Sequence, residues 1–226
     1  MQRVVVVVVA GGSGTRFAAA HPGDPAVDKL VVPLGDPAGT PSAAGAGVPV
    51  LSHLVTELVA QWPVLVVGPD RDLPHGDHPV RTVREDPPGG GPLAGFAAGL
   101  DAVAAVDPPV DVVVLVGGDQ PFAATAVPRL VAALQDPAAR AAVGVDGTGR
   151  RQPLLSAHRR DAVSRVLAGL PDPAGLPLRH LFRDSPGAGA VVEVAVDESE
   201  CLDVDVPADL ERARAVLARA GSTRRT

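Results

Sequence analysis

Six consecutive valines, Val4–Val9, running straight into Ala10-Gly-Gly-Ser-Gly14, constrain what this 226-residue chain can fold into more than any other feature. Valine is stiff at χ1 and favours extended backbone. A strand with no polar alternation must be buried on both faces, as in the middle of a parallel sheet. The apolar run ends at Ala10, too short for a membrane span, and Met-Gln-Arg before it and Gly-Gly after it are the wrong flanks for a signal peptide.

Val64–Val67 and Val112–Val116 repeat the pattern, and shorter strand candidates lie at 80–84, 141–145, 153–157 and 191–196. Helical patterns fall between them, at 50–61, 93–106, 126–134, 160–167 and 208–220. This alternation predicts an α/β chain with a mostly parallel central sheet, right-handed crossovers and helices on both faces. The short connection at 146–151 suits an antiparallel addition late in the sheet. With 46% hydrophobic but only 2% aromatic residues, the core must be built from Val, Leu and Ala. The 25 glycines and 24 prolines gather between apolar segments, which argues against disorder.

The length suits one domain over 1–226, with a flexible loop at 35–49 and a short tail at 221–226. Pro207 fits the first turn of the last helix and Gly221 its end. A net charge of −6 argues against nucleic-acid binding through phosphate neutralisation. The single cysteine, Cys201, forms no internal disulfide or multi-cysteine metal site, and a reducing, cytoplasmic setting is expected.

Four segments carry possible chemistry. In the first, Gly11, Gly12 and Gly14 permit a tight turn that offers backbone N–H groups to an anion at the start of a short helix. Ala10, Ser13 and Thr15 belong to the same turn, and Arg16 is placed to clamp a triphosphate. The segment is not a Walker loop, since no lysine follows Gly14, nor a dinucleotide fingerprint, since Phe17 stands at the third glycine position. Lys29 follows it and is the only lysine in the chain. Its compact ammonium suits phosphate oxygens that gain charge during reaction.

In the second, Asp119 closes the run Val114-Leu-Val-Gly-Gly-Asp119 at the C-terminal end of a strand, where ligands bind in open α/β sheets. A carboxylate there suits Mg²⁺, though an aspartate before a helix also reads as a cap. In the third, Asp203 and Asp205 share a face if extended, so that one joins Asp119 at a metal; Asp119 with Asp205 is the expected pair. Asp209 suits the first helical turn. In the fourth, Glu85-Asp86 leads into Gly91-Pro92-Leu93, where amides and a carboxylate can meet a base, and Gly95 and Gly99 allow a close helix. Trp62 reads as a packing residue. No nucleophile elbow occurs, and the six histidines form no credible metal cluster.

Taken in order, Ala10-Gly-Gly-Ser-Gly-Thr-Arg16, Asp28-Lys29, Glu85-Asp86 with Gly91-Pro-Leu-Ala-Gly95, Gly118-Asp119-Gln-Pro121, Arg151-Gln-Pro153 and Asp203-Val-Asp205-Val-Pro-Ala-Asp-Leu210 resemble the molybdenum cofactor guanylyltransferase family. The resemblance implies a three-layer, Rossmann-like nucleotidyltransferase fold. It also implies transfer of GMP from GTP to the terminal phosphate of the molybdopterin cofactor, with Mg²⁺ as cofactor and release of pyrophosphate. Gly11–Arg16 and Lys29 would hold the triphosphate, Asp86 and Gly91-Pro92-Leu93 the base, and Asp119 the metal; Arg16, Lys29 and Asp119 would carry catalysis. A molybdoenzyme or cofactor-biosynthesis protein is the implied partner, with neither nucleic acid nor membrane. The interval from Arg16 to Lys29 is longer than that family's compact pattern and resembles sugar-phosphate nucleotidylyltransferases. The Gly-Asp119-Gln-Pro and Asp203-Val-Asp205 blocks look closer to cofactor cytidylyltransferases. A non-catalytic nucleotide- or partner-binding protein is the alternative from another class.

Overall fold

The computed structural model describes residues 2–12, 14–20, 27–35, 47–105, 109–183 and 189–223. In chain order the elements are β1 (Val4–Val9), α1 (Thr15–Ala19), β2 (Pro33–Gly35), β3 (Val48–Pro49), α2 (Val50–Val59), β4 (Val64–Val67), β5 (Val80–Val83) and α3 (Pro92–Ala104). There follow β6 (Val112–Gly117), α4 (Val127–Ala133), β7 (Ala139–Val145), β8 (Arg151–Arg159), α5 (Arg160–Ala168), β9 (Ala190–Ala195) and α6 (Pro207–Thr223). Short 3-10 turns lie at Ala123–Ala126 and Leu178–Phe182.

The seven-stranded sheet has the order β5-β4-β1-β6-β8-β7-β9. β1 pairs in parallel with both β4 and β6, and β4 with β5. β8 is antiparallel to both of its neighbours, β6 and β7, while β7 and β9 run parallel. The expected mostly parallel sheet with a late antiparallel addition is therefore what the chain forms. Successive side chains of a strand point to opposite faces, so one run of valines serves two layers. Val6 and Val8 pack with Leu51, Leu54 and Leu58 of α2. Val5 and Val7 pack with Leu93, Phe96 and Leu100 of α3. Each such fully buried side chain contributes about 1.5–3 kcal/mol, and the result is the expected three-layer arrangement.

α3 lies close on the sheet because two of its residues lack side chains. A Cβ on Gly99 would stand 2.6 Å from Val7 Cγ1, and one on Gly95 would stand 2.9 Å from Glu85 Oε2. Trp62 packs against the α2 layer, as its position between helix and strand suggested.

Two expectations need correction. Gly35 and Val48–Pro49, inside the loop expected at 35–49, belong to a small antiparallel ladder of β2 and β3, in which Pro33 faces Pro49 and Gly35 faces Val48. Leu34 is fully buried there, in a cluster with Leu210 and Ala213 of α6, so packing rather than strand periodicity fixes these residues. Residues 36–46 lie outside the described residues. α6 runs through Gly221 to Thr223, where a tail was expected. The 3-10 turn Leu178–Phe182 was not expected; its residues lack helical periodicity, yet Leu181 and Phe182 are buried.

Candidate active site

β1 and β6 lie side by side, with β4 and β5 on one flank and the later strands on the other. Both β1 and β6 deliver their C-terminal ends to one crevice, the position where open α/β sheets bind ligands. The backbone N–H of Gly118 donates to the Val9 carbonyl at 2.9 Å, so the two exits are stitched together. After Ala10 the chain turns through Gly14, whose φ of 57° lies in the left-handed region, and enters α1. Ser13, an expected member of this turn, lies outside the described residues.

A cavity of about 330 Å³ opens at this crevice. Of the residues expected at the site, it is lined by Ala10, Gly12, Gly14, Thr15, Arg16, Lys29, Pro92, Asp119 and Asp205, joined by Val9, Leu30 and Leu154. Gly11 instead backs onto Glu85, whose Oε1 lies 3.6 Å from where a Gly11 Cβ would be. Gly91 precedes α3 with a φ of 88° and lies outside the lining. Leu93 is fully buried in the α3 layer, so its side chain serves the core. Asp86 is exposed, beside a cis bond to Pro87, and is not part of the lining.

Four charged side chains form a connected chain. Lys29 Nζ donates to Asp119 Oδ2 and to Asp205 Oδ1, each at 2.7 Å. Arg16 Nη1 donates to Asp205 Oδ2 at 2.7 Å. The Lys29 side chain is only 10% exposed, whereas that of Arg16 is 77% exposed. Solvent therefore screens the Arg16 pair far more than the Lys29 pairs. Burial opposes the Lys29 charge, but attraction to Asp119 and hydrogen bonds to both carboxylates outweigh it and hold the pKa above the ordinary lysine value.

Asp205 is brought here by backbone pairing. The Val204 N–H donates to the Asp119 carbonyl at 2.9 Å, which lays the segment alongside the end of β6. Asp209, in the first turn of α6, accepts from the N–H groups of Asp205 and Val206 at 3.0 and 2.9 Å. Although burial works the other way, those bonds and Arg212 hold its pKa below the usual carboxylate range. Asp203 is not in the lining. Partial desolvation pushes its pKa up; its own backbone N–H opposes this, and the charges of Asp119, Asp205 and Asp209 add to the rise. Gln120, buried, accepts from the Gly117 N–H at 3.1 Å and braces the turn that carries Asp119.

The donor set also bears on a metal. Among the described residues no group of three His, Cys, Asp or Glu side chains is arranged to hold an ion. Asp119 and Asp205 nevertheless offer two hard carboxylates that already share one cation, the Lys29 ammonium. Mg²⁺ is commonly held by one or two carboxylates together with substrate phosphates, and the chemistry of the pair fits that role.

Sequence reasoning passed over two residues. Glu85, not its neighbour Asp86, is the buried carboxylate, and it accepts from the Gly89 N–H at 2.6 Å. Nothing in the adjacent Glu-Asp pair tells which one turns inward. Arg71 was also missed: it pairs with Asp28 at 2.8 Å, and neither charge has a sequence neighbour that signals the other.

Over 65 residues the chain is 42% identical to a 3-deoxy-manno-octulosonate cytidylyltransferase from Parvibaculum lavamentivorans, a match covering 29% of this chain and 25% of that protein. The chain thus spans about a quarter of that curated relative's length. Its fold is similar to that of the molybdopterin-guanine dinucleotide biosynthesis protein A from Archaeoglobus fulgidus, with a TM-score of 0.63 at 18% identity over 95% of this chain and 99% of that one. Rv0371c from Mycobacterium tuberculosis, in its complex with manganese, gives a TM-score of 0.56 at 20% identity over 95% and 99%. Residues 6–189 match the MobA-like NTP transferase domain, and the chain belongs to that family.

Proposed function

We propose that this protein transfers GMP from GTP to the terminal phosphate of the molybdopterin cofactor, acting as a single nucleotidyltransferase domain in the cytoplasm. The observation that carries the reading is Lys29 between Asp119 and Asp205, beneath the glycine turn and at the C-terminal ends of β1 and β6. An acceptor phosphate oxygen attacks the α-phosphorus, the bond to the bridging oxygen of the β-phosphate breaks, and pyrophosphate leaves. The acceptor is itself the nucleophile, so the protein needs none. Its contribution is alignment and charge stabilisation.

In this reading the turn from Ala10 to Thr15 receives the triphosphate through backbone N–H groups. Lys29 and Arg16 release Asp205 and turn to the phosphates, where Lys29 follows the charge that grows on the leaving pyrophosphate. Gly91-Pro92-Leu93 shapes the base side through backbone and Pro92. Asp119 and Asp205 would hold Mg²⁺, which would supply charge neutralisation during the transfer; the manganese complex of the mycobacterial neighbour supports a divalent ion.

The guanine preference is supported by the Gly91–Gly95 block and by the Archaeoglobus neighbour. Cytidylyl transfer is the second reading, favoured by the cytidylyltransferase relative and by the Gly-Asp119-Gln-Pro segment. Pyrophosphate release from GTP, CTP, ATP and UTP, each with Mg²⁺ and with or without molybdopterin, tests both. Molybdopterin-dependent release from GTP above the others is the expected result. Release from CTP alone moves the assignment to the cytidylyl branch, and release from none removes the proposal.

A further inference from the structure

The side chain of Arg71, only 9% exposed, reaches into the ground between the glycine turn and the Lys29 segment. Its Nε donates to Asp28 Oδ2 at 2.9 Å, and Nη2 lies 2.8 Å from the same oxygen. Its Nη1 donates to the Ala10 carbonyl at 3.1 Å and to the Pro69 carbonyl at 3.4 Å. The other Asp28 oxygen, Oδ1, accepts from the Leu30 N–H at 3.0 Å, so the carboxylate spans the residue that bears the ammonium. One guanidinium thereby joins the exit of β1, the exit of β4 and the Lys29 turn. A fork of fixed geometry can hold three such points, and a lysine in its place cannot.

We infer that Arg71, acting through Asp28, is a positioning residue that sets where the Lys29 ammonium stands relative to the glycine turn. The inference deepens the proposed nucleotidyl transfer, and its consequence for rate rests on that reading. A displacement of about 1 Å at a group that must meet developing charge costs on the order of 10²-fold in rate.

Because Lys29 is the only lysine, protein made with ¹³C-lysine gives a single Cε–Hε correlation, a reporter at the site that does not depend on turnover. In folded Arg71→Gln this correlation is expected to move toward the position of a flexible lysine, and Arg71→Lys to recover it in part. With GTP, Mg²⁺ and molybdopterin, kcat should fall by about 10²-fold while the KM for GTP changes little. In a Lys29→Ala background, Arg71→Gln should cost nothing more, whereas simple destabilisation would still lower activity. An unmoved Lys29 correlation in folded Arg71→Gln overturns the inference; if that variant does not fold, Asp28→Asn decides by the same criterion. A shifted correlation in a protein that turns over no nucleotide supports the clamp and removes only the transfer reading.

Discussion

Lys29 occupies the place of a cation between two carboxylates, so in the proposed reaction the counter-ion of the free site would also be the ligand for phosphate. Lys29→Ala is therefore expected to move two observables in opposite directions. Loss of a well-aimed donor costs about 3 kcal/mol, on the order of 10² in single-turnover rate. Removal of the ammonium takes away the cation that Asp119 and Asp205 share and leaves only Arg16 on Asp205, and Mn²⁺ titrated into nucleotide-free protein should bind more tightly, as read by electron paramagnetic resonance. Equal Mn²⁺ affinity in both proteins would show that Lys29 does not compete for the pair. Asp119→Asn tests the other side of the contact. With one charge gone, turnover should drop by a large factor at limiting Mg²⁺ while the thermal midpoint stays close to that of the unmodified protein. Activity kept at the unmodified level would make Asp119 a structural residue of the turn after β6.

The site lies at the ends of elements whose interiors are held by packing, and β8 shows how one strand couples that packing to solution conditions. His158, on β8, is buried between the rings of Phe96 and Phe182, with centroids 5.6 and 5.5 Å away, and its Nε2 lies 2.9 Å from Ser156 Oγ. Burial, with a smaller contribution from the Arg140 charge, lowers its pKa to about 3. The unfolded chain takes up this proton near pH 6.5 and the folded chain only near 3. Within that window the unfolded state binds more protons, so stability falls as the pH drops from about 6.5 toward 3 and this contribution then levels off. Urea unfolding at intervals from pH 7 to 4 should show a shallower loss in His158→Gln, which carries no titrating ring. An unchanged slope would place the acid sensitivity elsewhere. The same scale explains which elements were legible in the sequence. β1, β4 and β6 announce themselves because both faces are apolar, and the α2, α3 and α6 helices because their periodicity is local. β2 and β3 do not, since three and two residues carry no period and packing with elements distant in sequence, α6 among them, secures them. At the site, Asp119 was legible because a strand end is a sequence feature. Asp205 was expected beside it, but the contact that brings Asp205 there, the Val204 N–H on the backbone carbonyl of Asp119, leaves no trace in the sequence. Leu93 and Asp86 were placed by proximity along the chain, whereas burial turns one into the core and leaves the other exposed.

Across the whole molecule the crevice depends on strands from distant parts of the chain ending at the same height, and among the described residues no helix is long and apolar enough to cross a membrane. The fold match over 95% of the chain and the family match over residues 6–189 agree with the order of sequence blocks, whereas the identity of the base is not written in the topology. β1 has a property that its burial conceals. Six identical residues give a strand no internal ruler: a slip by two positions returns every valine to the same face and costs little packing. Such a slip would carry the glycine turn about 7 Å along the sheet, away from Asp119. Register must then be fixed by pegs outside the run. At one end the Arg3 N–H donates to Asp111 Oδ2 at 2.8 Å and the Arg3 carbonyl accepts from Asp111 and Val112. At the other the Ala10 N–H donates to Val67 and the Gly118 N–H to Val9. Asp111→Ala, far from the cavity, should therefore produce a second set of amide resonances for Gly11, Gly12 and Gly14; a single set would mean that the remaining pegs suffice. A strand uniform enough to be buried anywhere in the sheet has its alignment written in the polar residues just beyond it.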